Sequence, residues 1–308
     1  MNSSNILFKK KNLVIKTSDI NWVKSHTWVP TAFKIDNSDK VIVFFAGRNK
    51  LNESDTGYFI YDLNKNKVTK ICKKPILRRG NLGSFDDSAV IPSHLIKIRK
   101  KYYLYYVGWT QGKKVPFFSN LGLAVSSRIT GPFKKFSNSP ILGKSKYDPY
   151  FVATCFVDKI KGAYEMFYTS NLYWKKINNI PYPRYIIKRC TSTNGINWKV
   201  KGEKIINFQS KNEVAITRPW IVKIKKKKVM FFSLKRKKYN IMTSINNGKS
   251  NWKRIKIFEF MKNKKINFDT DSQEYASIIK HKNKLYMFYN GNEYGRDGIG
   301  LAIANIND

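Results

Sequence analysis

The sequence is poor in acidic residues, in cysteine and in long apolar runs. Its 308 residues include 20 Asp and Glu against 59 Lys and Arg, which gives a formal net charge of +39. The three cysteines, Cys72, Cys155 and Cys190, are odd in number and lack the spacing of metal ligands. They predict buried free thiols and a reducing, cytoplasmic location. No segment approaches the ~18 apolar residues of a membrane-spanning helix, so we expect a soluble, unexported chain.

The positive charge is carried mainly by lysine. Only 11 of the 59 basic residues are arginine, and the lysines occur with abundant Asn and Ile, a pattern typical of A/T-rich codons and of solvated turns such as 225–228. We therefore predict no specific nucleic-acid partner, although clustered cations attract polyanions. A field of this sign would still draw an acidic or phosphorylated carbohydrate, and peripheral contact with an anionic membrane stays open.

A short aromatic and aliphatic strand recurs five times. The repeats are KVIVFFAGR (40–48), KYYLYYVGW (101–109), AYEMFYTSN (163–171), KVMFFSLKR (228–236) and KLYMFYNGN (284–292). Their aromatic positions, Phe44, Tyr105, Phe167, Phe231 and Phe288, are 61, 62, 64 and 57 residues apart. Such steps suit one four-stranded sheet per repeat, and no helical stripe competes with them. We predict an all-β, single-domain five-bladed β-propeller over residues 1–308, with antiparallel blades around a central channel and the N-terminal strand closing the ring.

Acidic side chains, scarce elsewhere, recur at one phase of these repeats. Counting back six positions from Pro92, Thr154, Pro219 and Ser277 gives Asp86, Asp148, Glu213 and Asp271. At a propeller mouth these acids would converge, and paired carboxylates across a pocket serve glycosyl transfer as acid and base. For any single acid, a turn cap or an ion pair with lysine is an equally good interpretation. The first repeat has Lys24 at this phase, with His26 as its nearest titratable group.

Other polar and aromatic residues are expected around the same mouth. Arginine is scarce, and its planar fork binds carboxylate or phosphate, while Trp109 can stack on a sugar face. The predicted substrate-binding residues are His26, Arg48, Trp109, Arg184, Tyr185, Arg218, Asp271 and Glu274. No Cys/His cluster suggests a metal site and we expect no cofactor, although an acid-lined channel can hold a calcium or sodium ion.

A resemblance to a known family rests on four segments, FDDSAVIPS (85–93), YDPYFVA (147–153), EVAITRP (213–219) and DSQEYAS (271–277). With the five repeats, they resemble the five-bladed propeller glycosidases of the arabinanase, xylosidase and invertase superfamily. The chain is most similar to the glycosidase-like propellers that accompany bacterial surface-polysaccharide genes. The resemblance implies that Asp148 orients the substrate, that Glu213 is the general acid, and that Asp86 or Asp87 is the base.

The first repeat departs from that family pattern, because His26 stands where the resemblance implies an acid. From the resemblance as a whole we expect a glycoside hydrolase-like protein acting on glycosidic bonds, in surface-polysaccharide metabolism. Two alternatives remain open. One is a glycosyltransferase or phosphorylase that uses a nucleotide sugar or phosphate, and the other is a non-catalytic propeller that binds glycans or polyanions.

Overall fold

The computed structural model describes residues 6–246, 251–261, 263 and 265–306. Nearly all regular structure in these residues is β-strand. The exceptions are a 3-10 turn, Thr17–Asp19, and a four-residue helix, α1 (Asn292–Gly295), in which Glu293 and Tyr294 have positive φ. The all-β class expected from the sequence is therefore confirmed.

The strands follow one another in repeated antiparallel order. The first strands are β2 (Thr27–Lys34), β6 (Ala89–Ile98), β10 (Val152–Ile160), β14 (Ala215–Ile224) and β19 (Glu274–His281). The second strands are β3 (Lys40–Arg48), β7 (Lys101–Gln111), β11 (Ala163–Ile177), β15 (Lys227–Lys235) and β20 (Lys284–Asn290). The third strands are β4 (Ser54–Asp62), β8 (Phe117–Ser126), β12 (Ile180–Ser192), β16 (Tyr239–Asn246) and β21 (Gly298–Asn305). The outer strands are β1 (Ile6–Lys16), β5 (Lys67–Ile71), β9 (Lys134–Lys135), β13 (Glu203–Ile206), β17 (Trp252–Arg254) and β18 (Phe258–Phe260).

Hydrogen bonding joins these strands into three sheets. Two sheets of eight strands each combine two strand groups through a single parallel bridge, Ser54 with Ala89 in one and Tyr185 with Ala215 in the other. The third sheet has five strands in the order β18, β1, β21, β20, β19. In that sheet β1 pairs antiparallel with β21, so the N-terminal strand lies beside the last strand of the chain.

The recurring aromatic residues of the second strands form the core. Phe44, Tyr105, Phe167, Phe231 and Phe288 are all at most 1% exposed. They pair with first-strand residues that lie just beyond a β-bulge, namely Thr31, His94, Phe156, Trp220 and Ser277. Full burial of such a side chain contributes about 1.5–3 kcal/mol, so these rings both stabilise the strand groups and fix equivalent positions in them.

The first strands contact one another in a closed cycle: β2 with β6, β6 with β10, β10 with β14, β14 with β19, and β19 with β2. Their bulges lie towards the ends where these strands begin. In three strands the bulge contains a non-glycine residue with positive φ, namely Val29 at 52°, Arg218 at 57° and Tyr275 at 58°. Such conformations cost about 1–3 kcal/mol each and are common at functional sites. Among the described residues, no helix is long and apolar enough to span a membrane.

Candidate functional site at the starts of the first strands

Asp148 is fully buried in a hydrogen-bonded ion pair. Its Oδ1 accepts hydrogen bonds from Lys188 Nζ at 2.7 Å and from the Ser170 hydroxyl, and its Oδ2 accepts one from the Tyr168 hydroxyl at 2.9 Å. Burial, and then the negative charge of Asp148, raise the pKa of Tyr168 far above its ordinary value. Both carboxylate oxygens thus accept hydrogen bonds from side chains of the same strand group, and the implied role of Asp148 in orienting a substrate stays a prediction.

The same arrangement recurs in two other strand groups. Asp86 accepts a hydrogen bond from the Tyr106 hydroxyl at 2.9 Å and pairs with Lys135 at 2.6 Å. The fifth group repeats it with Asp269, Tyr289 at 2.8 Å and Lys10 at 2.8 Å. In all three cases the tyrosine follows the aspartate by 20 residues. The recurrence of an acid at one phase is therefore real, and ion pairing accounts for it.

Asp271, the predicted fifth-group acid, does not occupy this position. It is exposed, and its backbone N–H donates to Asn292 Oδ1 at 2.8 Å. Asp269 takes the place instead, because the connection to the first strand is two residues longer here, eight residues before Ser277 rather than six. Equal loop lengths were the assumption that misplaced this acid.

Glu213 fills the corresponding place in the fourth group and has arginine partners. Its side chain is 2% exposed, with Arg254 nitrogens 2.7 and 2.8 Å from its oxygens and Arg236 Nη2 at 3.1 Å. Burial alone would raise its pKa, but hydrogen bonds from Arg254 and from the Gln209 backbone hold the pKa below its ordinary value. Glu213 is therefore ionised at neutral pH, whereas a general acid must carry a proton. Its implied role as acid stays a prediction.

Asp87 differs from its neighbour Asp86 in being only half-buried. Its oxygens accept hydrogen bonds from the Gly83 N–H at 3.0 Å and the Ser88 hydroxyl at 2.9 Å, with no cation bound in a salt bridge among the described residues. It lines a shallow depression together with Glu53. Of the predicted catalytic acids, Asp87 is the one with an accessible carboxylate.

Two of the arginines predicted to bind substrate, Arg218 and Arg184, instead donate hydrogen bonds to backbone carbonyl groups. Arg218 is fully buried, and its guanidinium donates to Ser93 O at 2.5 Å, Pro30 O at 2.6 Å and Thr31 Oγ1 at 2.9 Å. It therefore lies inside the cycle of first strands rather than on a rim, which corrects its predicted place. The reason is its position in the bulge of β14, beside the neighbouring carbonyls. Burial lowers the pKa of Arg218 to about 9. Arg184 Nη1 donates to Glu213 O at 2.8 Å.

Aromatic rings form a connected series at the starts of the first and third strands and the ends of the second strands. Neighbouring ring centroids lie 5.3 to 6.3 Å apart, except that Tyr185 and Tyr239 meet through their hydroxyl groups. The series, here called the aromatic crescent, runs Trp109, Phe117, Phe151, Tyr185, Tyr239, Tyr275, Trp28. It draws on all five strand groups. Trp109, Phe117, Tyr185 and Trp28 remain half-exposed, and such faces suit the apolar faces of sugar rings.

Glu274 is the buried acid of this region. It begins β19, is 1% exposed and neighbours Tyr275 of the crescent. Its Oε1 accepts a hydrogen bond from the Tyr294 N–H at 3.1 Å, whereas Oε2 has no hydrogen-bond partner among the described residues. Burial raises its pKa from 4.5 to about 8, against smaller lowering effects of the Tyr294 N–H, Lys235 and Lys238. Glu274 is therefore a protonated carboxylic acid at neutral pH.

His26 and Arg48 lie at the Trp28 end of the crescent. The Arg48 guanidinium is 4.7 Å from the Trp28 ring, and burial lowers the Arg48 pKa. His26 Nδ1 is 2.9 Å from Ser25 Oγ. Burial, followed by the charges of Arg48 and Arg296, lowers the pKa of His26 to about 4, so its imidazole is neutral at pH 7. This end combines a neutral base with two cations and suits an anionic group.

The structure thus brings His26, Arg48, Trp109, Tyr185 and Glu274 into one region. Sequence reasoning missed Trp28, Tyr239, Tyr275, Tyr294 and Lys235, whose Nζ donates to the Tyr294 hydroxyl at 3.1 Å. The signal was available for Tyr239, which begins a third strand at the phase that picked out Tyr185. No group of three or more His, Cys, Asp or Glu side chains in the described part of the chain could hold a metal ion.

No protein-family model matches the sequence. Uncharacterized protein Rv1502 of Mycobacterium tuberculosis (strain ATCC 25618 / H37Rv) is 29% identical over 289 residues, which cover 93% of this chain and 95% of that protein.

Solved structures of glycosidase-like proteins superpose on nearly the whole chain. A glycosyl hydrolase from Bacteroides ovatus gives a TM-score of 0.75 at 14% identity, covering 100% of this chain and 98% of that one. A member of the GH130 family of mannoside phosphorylases, described as containing glycoside hydrolases that target β-1,2 mannosidic linkages in Candida mannan, gives 0.74 at 15%, with the same coverage. RS223-β-xylosidase gives 0.65 at 14%, covering 96% and 94%. The chain therefore has the β-propeller fold of these glycosidase-like proteins, as its sequence motifs indicated.

Proposed function

We propose that this protein is a carbohydrate-active propeller that acts on glycosidic bonds, with the aromatic crescent and Glu274 as its site. The five strand groups would be five blades of a single domain, 1–308, with the cycle of first strands surrounding the axis. The contacts between consecutive first strands and the pairing of β1 with β21 support this arrangement. Propellers place ligand-binding groups where blades converge, and the crescent draws on every strand group.

The burial of Glu274 is the observation that carries the proposal. A glycosidic oxygen leaves as a hydroxyl only if an acid protonates it, and a carboxylic acid with a pKa of about 8 holds its proton at neutral pH. Oε2 has no hydrogen-bond partner among the described residues but is itself buried, so it would donate that proton once a substrate displaced the α1 turn that contacts Glu274. Glu274 in this role differs from the assignment to Glu213 that the family resemblance implies.

The group that attacks the glycosidic carbon, or leaves from it, distinguishes hydrolysis from phosphorolysis or glycosyl transfer. For hydrolysis, Asp87 or the neutral His26 would activate water, and an inverting pair of carboxylates would stand ~6.5–9.5 Å apart. For phosphorolysis or transfer from a nucleotide sugar, an anion would be the nucleophile or leaving group. Arg48, Arg296 and Lys235 lie in this region and favour the anionic version. The three buried thiols are free, which is consistent with a reducing, cytoplasmic site of action.

A product assay with a matched variant tests the proposal. The wild-type protein is incubated with oligosaccharides and sugar phosphates, with and without inorganic phosphate, and released sugars are identified by mass spectrometry. Glu274→Gln should abolish turnover while retaining binding, and Glu203→Gln, on an outer strand, should leave turnover intact. A requirement for phosphate would identify a phosphorylase. Turnover in Glu274→Gln equal to wild type would exclude Glu274 as the acid. Binding without any product would identify a glycan-binding propeller.

A further inference from the structure

The turns between first and second strands lie at the opposite end of the strands from the crescent. We call the residues 34–40, 97–101, 158–163, 223–228 and 280–284 the hairpin face. Contacts between neighbouring turns support a common surface: Lys97 Nζ is 2.6 Å from Asp36, and Lys228 Nζ is 2.6 Å from Asp158. Asp39 is paired with His281 of the fifth turn. The turns of adjacent strand groups are therefore joined by polar contacts, of which the two Lys–Asp contacts are ion pairs.

The hairpin face carries far more positive than negative charge. Its only acids are the three aspartates of those contacts, Asp36, Asp39 and Asp158. Its cations are Lys34, Lys40, Lys97, Arg99, Lys100, Lys101, Lys159, Lys161, Lys223, Lys225, Lys226, Lys227, Lys228, Lys280, Lys282 and Lys284. Nearly all of these side chains are exposed. Since the acids are already engaged with partners on this face, most of the positive charge is available to an external partner.

An apolar groove opens beside these cations. Its volume is about 1800 Å³, and Lys225–Lys227 and Lys282 line it together with isoleucines that include Ile224 and Ile303. Leu7 and Met261 also line it, and they are 49% and 42% exposed. Apolar side chains of this size next to a lysine-rich surface form the two-part signal that stable peripheral membrane binding needs.

We propose that the hairpin face binds the surface of an anionic phospholipid membrane, with its lysines at the headgroups and Leu7 and Met261 in the interface. Of its sixteen cations, Arg99 is the single arginine. Lysines are point charges on flexible stems, which suit a fluid layer of headgroups better than the bidentate recognition of nucleic acid. The cations also spread over five turns rather than along one groove, which fits a plane better than a single chain. The crescent then faces the aqueous phase.

Vesicle sedimentation tests this assignment. Wild-type protein should bind vesicles of phosphatidylcholine with phosphatidylglycerol, bind phosphatidylcholine alone much more weakly, and lose most binding at high salt. Each lysine near an anionic surface contributes roughly fivefold in partitioning, so replacing Lys225, Lys226 and Lys227 by Gln should weaken binding roughly 100-fold. Leu7→Ser should remove the binding that persists at high salt.

The matched control replaces Lys113, Lys114 and Lys176 by Gln. Lys113 and Lys114 lie on the turn between β7 and β8, and Lys176 lies near the end of β11, so all three are at the crescent end. They are exposed, and their loss changes the net charge equally. The control should bind anionic vesicles like wild type. Equal weakening by both triple variants would show that only net charge matters and would overturn the proposal. Binding to a heparin fragment or duplex DNA without binding to vesicles would assign the face to a polyanionic chain instead.

Discussion

Replacing Glu274 by Gln should stabilise the protein in a way that depends on pH. The folded state holds the pKa of Glu274 at about 8, above its ordinary value of 4.5. Below pH 4.5 both folded and unfolded states are protonated, and the carboxyl has no effect. Between these values the folded state binds one more proton, so the free energy of unfolding falls by about 1.4 kcal/mol per pH unit as pH rises. This lowers stability by roughly 3 kcal/mol at pH 7 and roughly 5 kcal/mol above pH 8.

Glutamine cannot ionise, so the free energy of unfolding of Glu274→Gln does not fall with pH for this reason. Urea unfolding of wild type and Glu274→Gln, followed by tryptophan fluorescence from pH 5 to 9, measures the difference. With a slope of about 3 kcal/mol per molar urea, the midpoints should separate by roughly 1 M at pH 7 and converge near pH 5. Glu213→Gln is the control of opposite sign, because the lowered pKa of Glu213 stabilises the fold above its ordinary pKa and that variant should lose stability there. A constant midpoint difference between wild type and Glu274→Gln at all pH values would refute the assignment of a raised pKa.

Three further substitutions distinguish structural from binding roles. Asp148→Asn leaves the buried ammonium of Lys188 without its counter-charge and should lower the free energy of unfolding by about 3–5 kcal/mol. Adding Lys188→Met should recover part of this loss. Unchanged stability of Asp148→Asn would show that the ion pair does not stabilise the fold. Arg218→Met leaves buried carbonyls unpaired and should lower the free energy of unfolding by at least about 3 kcal/mol. Glycan affinity, measured by calorimetry, should not change. A weaker affinity of the folded variant would show that Arg218 contributes to glycan binding. Trp109→Ala should weaken glycan binding roughly tenfold by calorimetry and leave stability nearly unchanged, whereas unaltered affinity would exclude it from the binding surface.

The sequence predicted the strands well because a buried strand has a local signature. The aromatic repeats around Phe44 and Phe288 are strands with fully buried rings in the structure. The acids were harder to interpret, because their phase could be read from the repeats but their partners could not. Lys188 and Lys135 reach the aspartates from strands about 40 and 50 residues further along the chain, a pairing that has no local pattern.

The protonation state of Glu274 could not be predicted from the sequence either. Its place near the mouth followed from the repeat, but its raised pKa depends on burial in the assembled fold. The N–H group that contacts it comes from Tyr294, in the short left-handed turn of α1 rather than in any repeat. The crescent was likewise only partly predicted. Trp109 and Tyr185 stood out at strand ends, whereas Phe151 and Tyr275 resembled ordinary core residues until the five strand groups were assembled.

The guanidinium of Arg218 has a consequence for how a polymer would be handled. It ties the carbonyls of Pro30 and Ser93 together inside the cycle of first strands, beneath the crescent. A glycan bound at the crescent, as proposed above, would therefore meet this guanidinium within the cycle. It would then enter and leave on the crescent side of the strands.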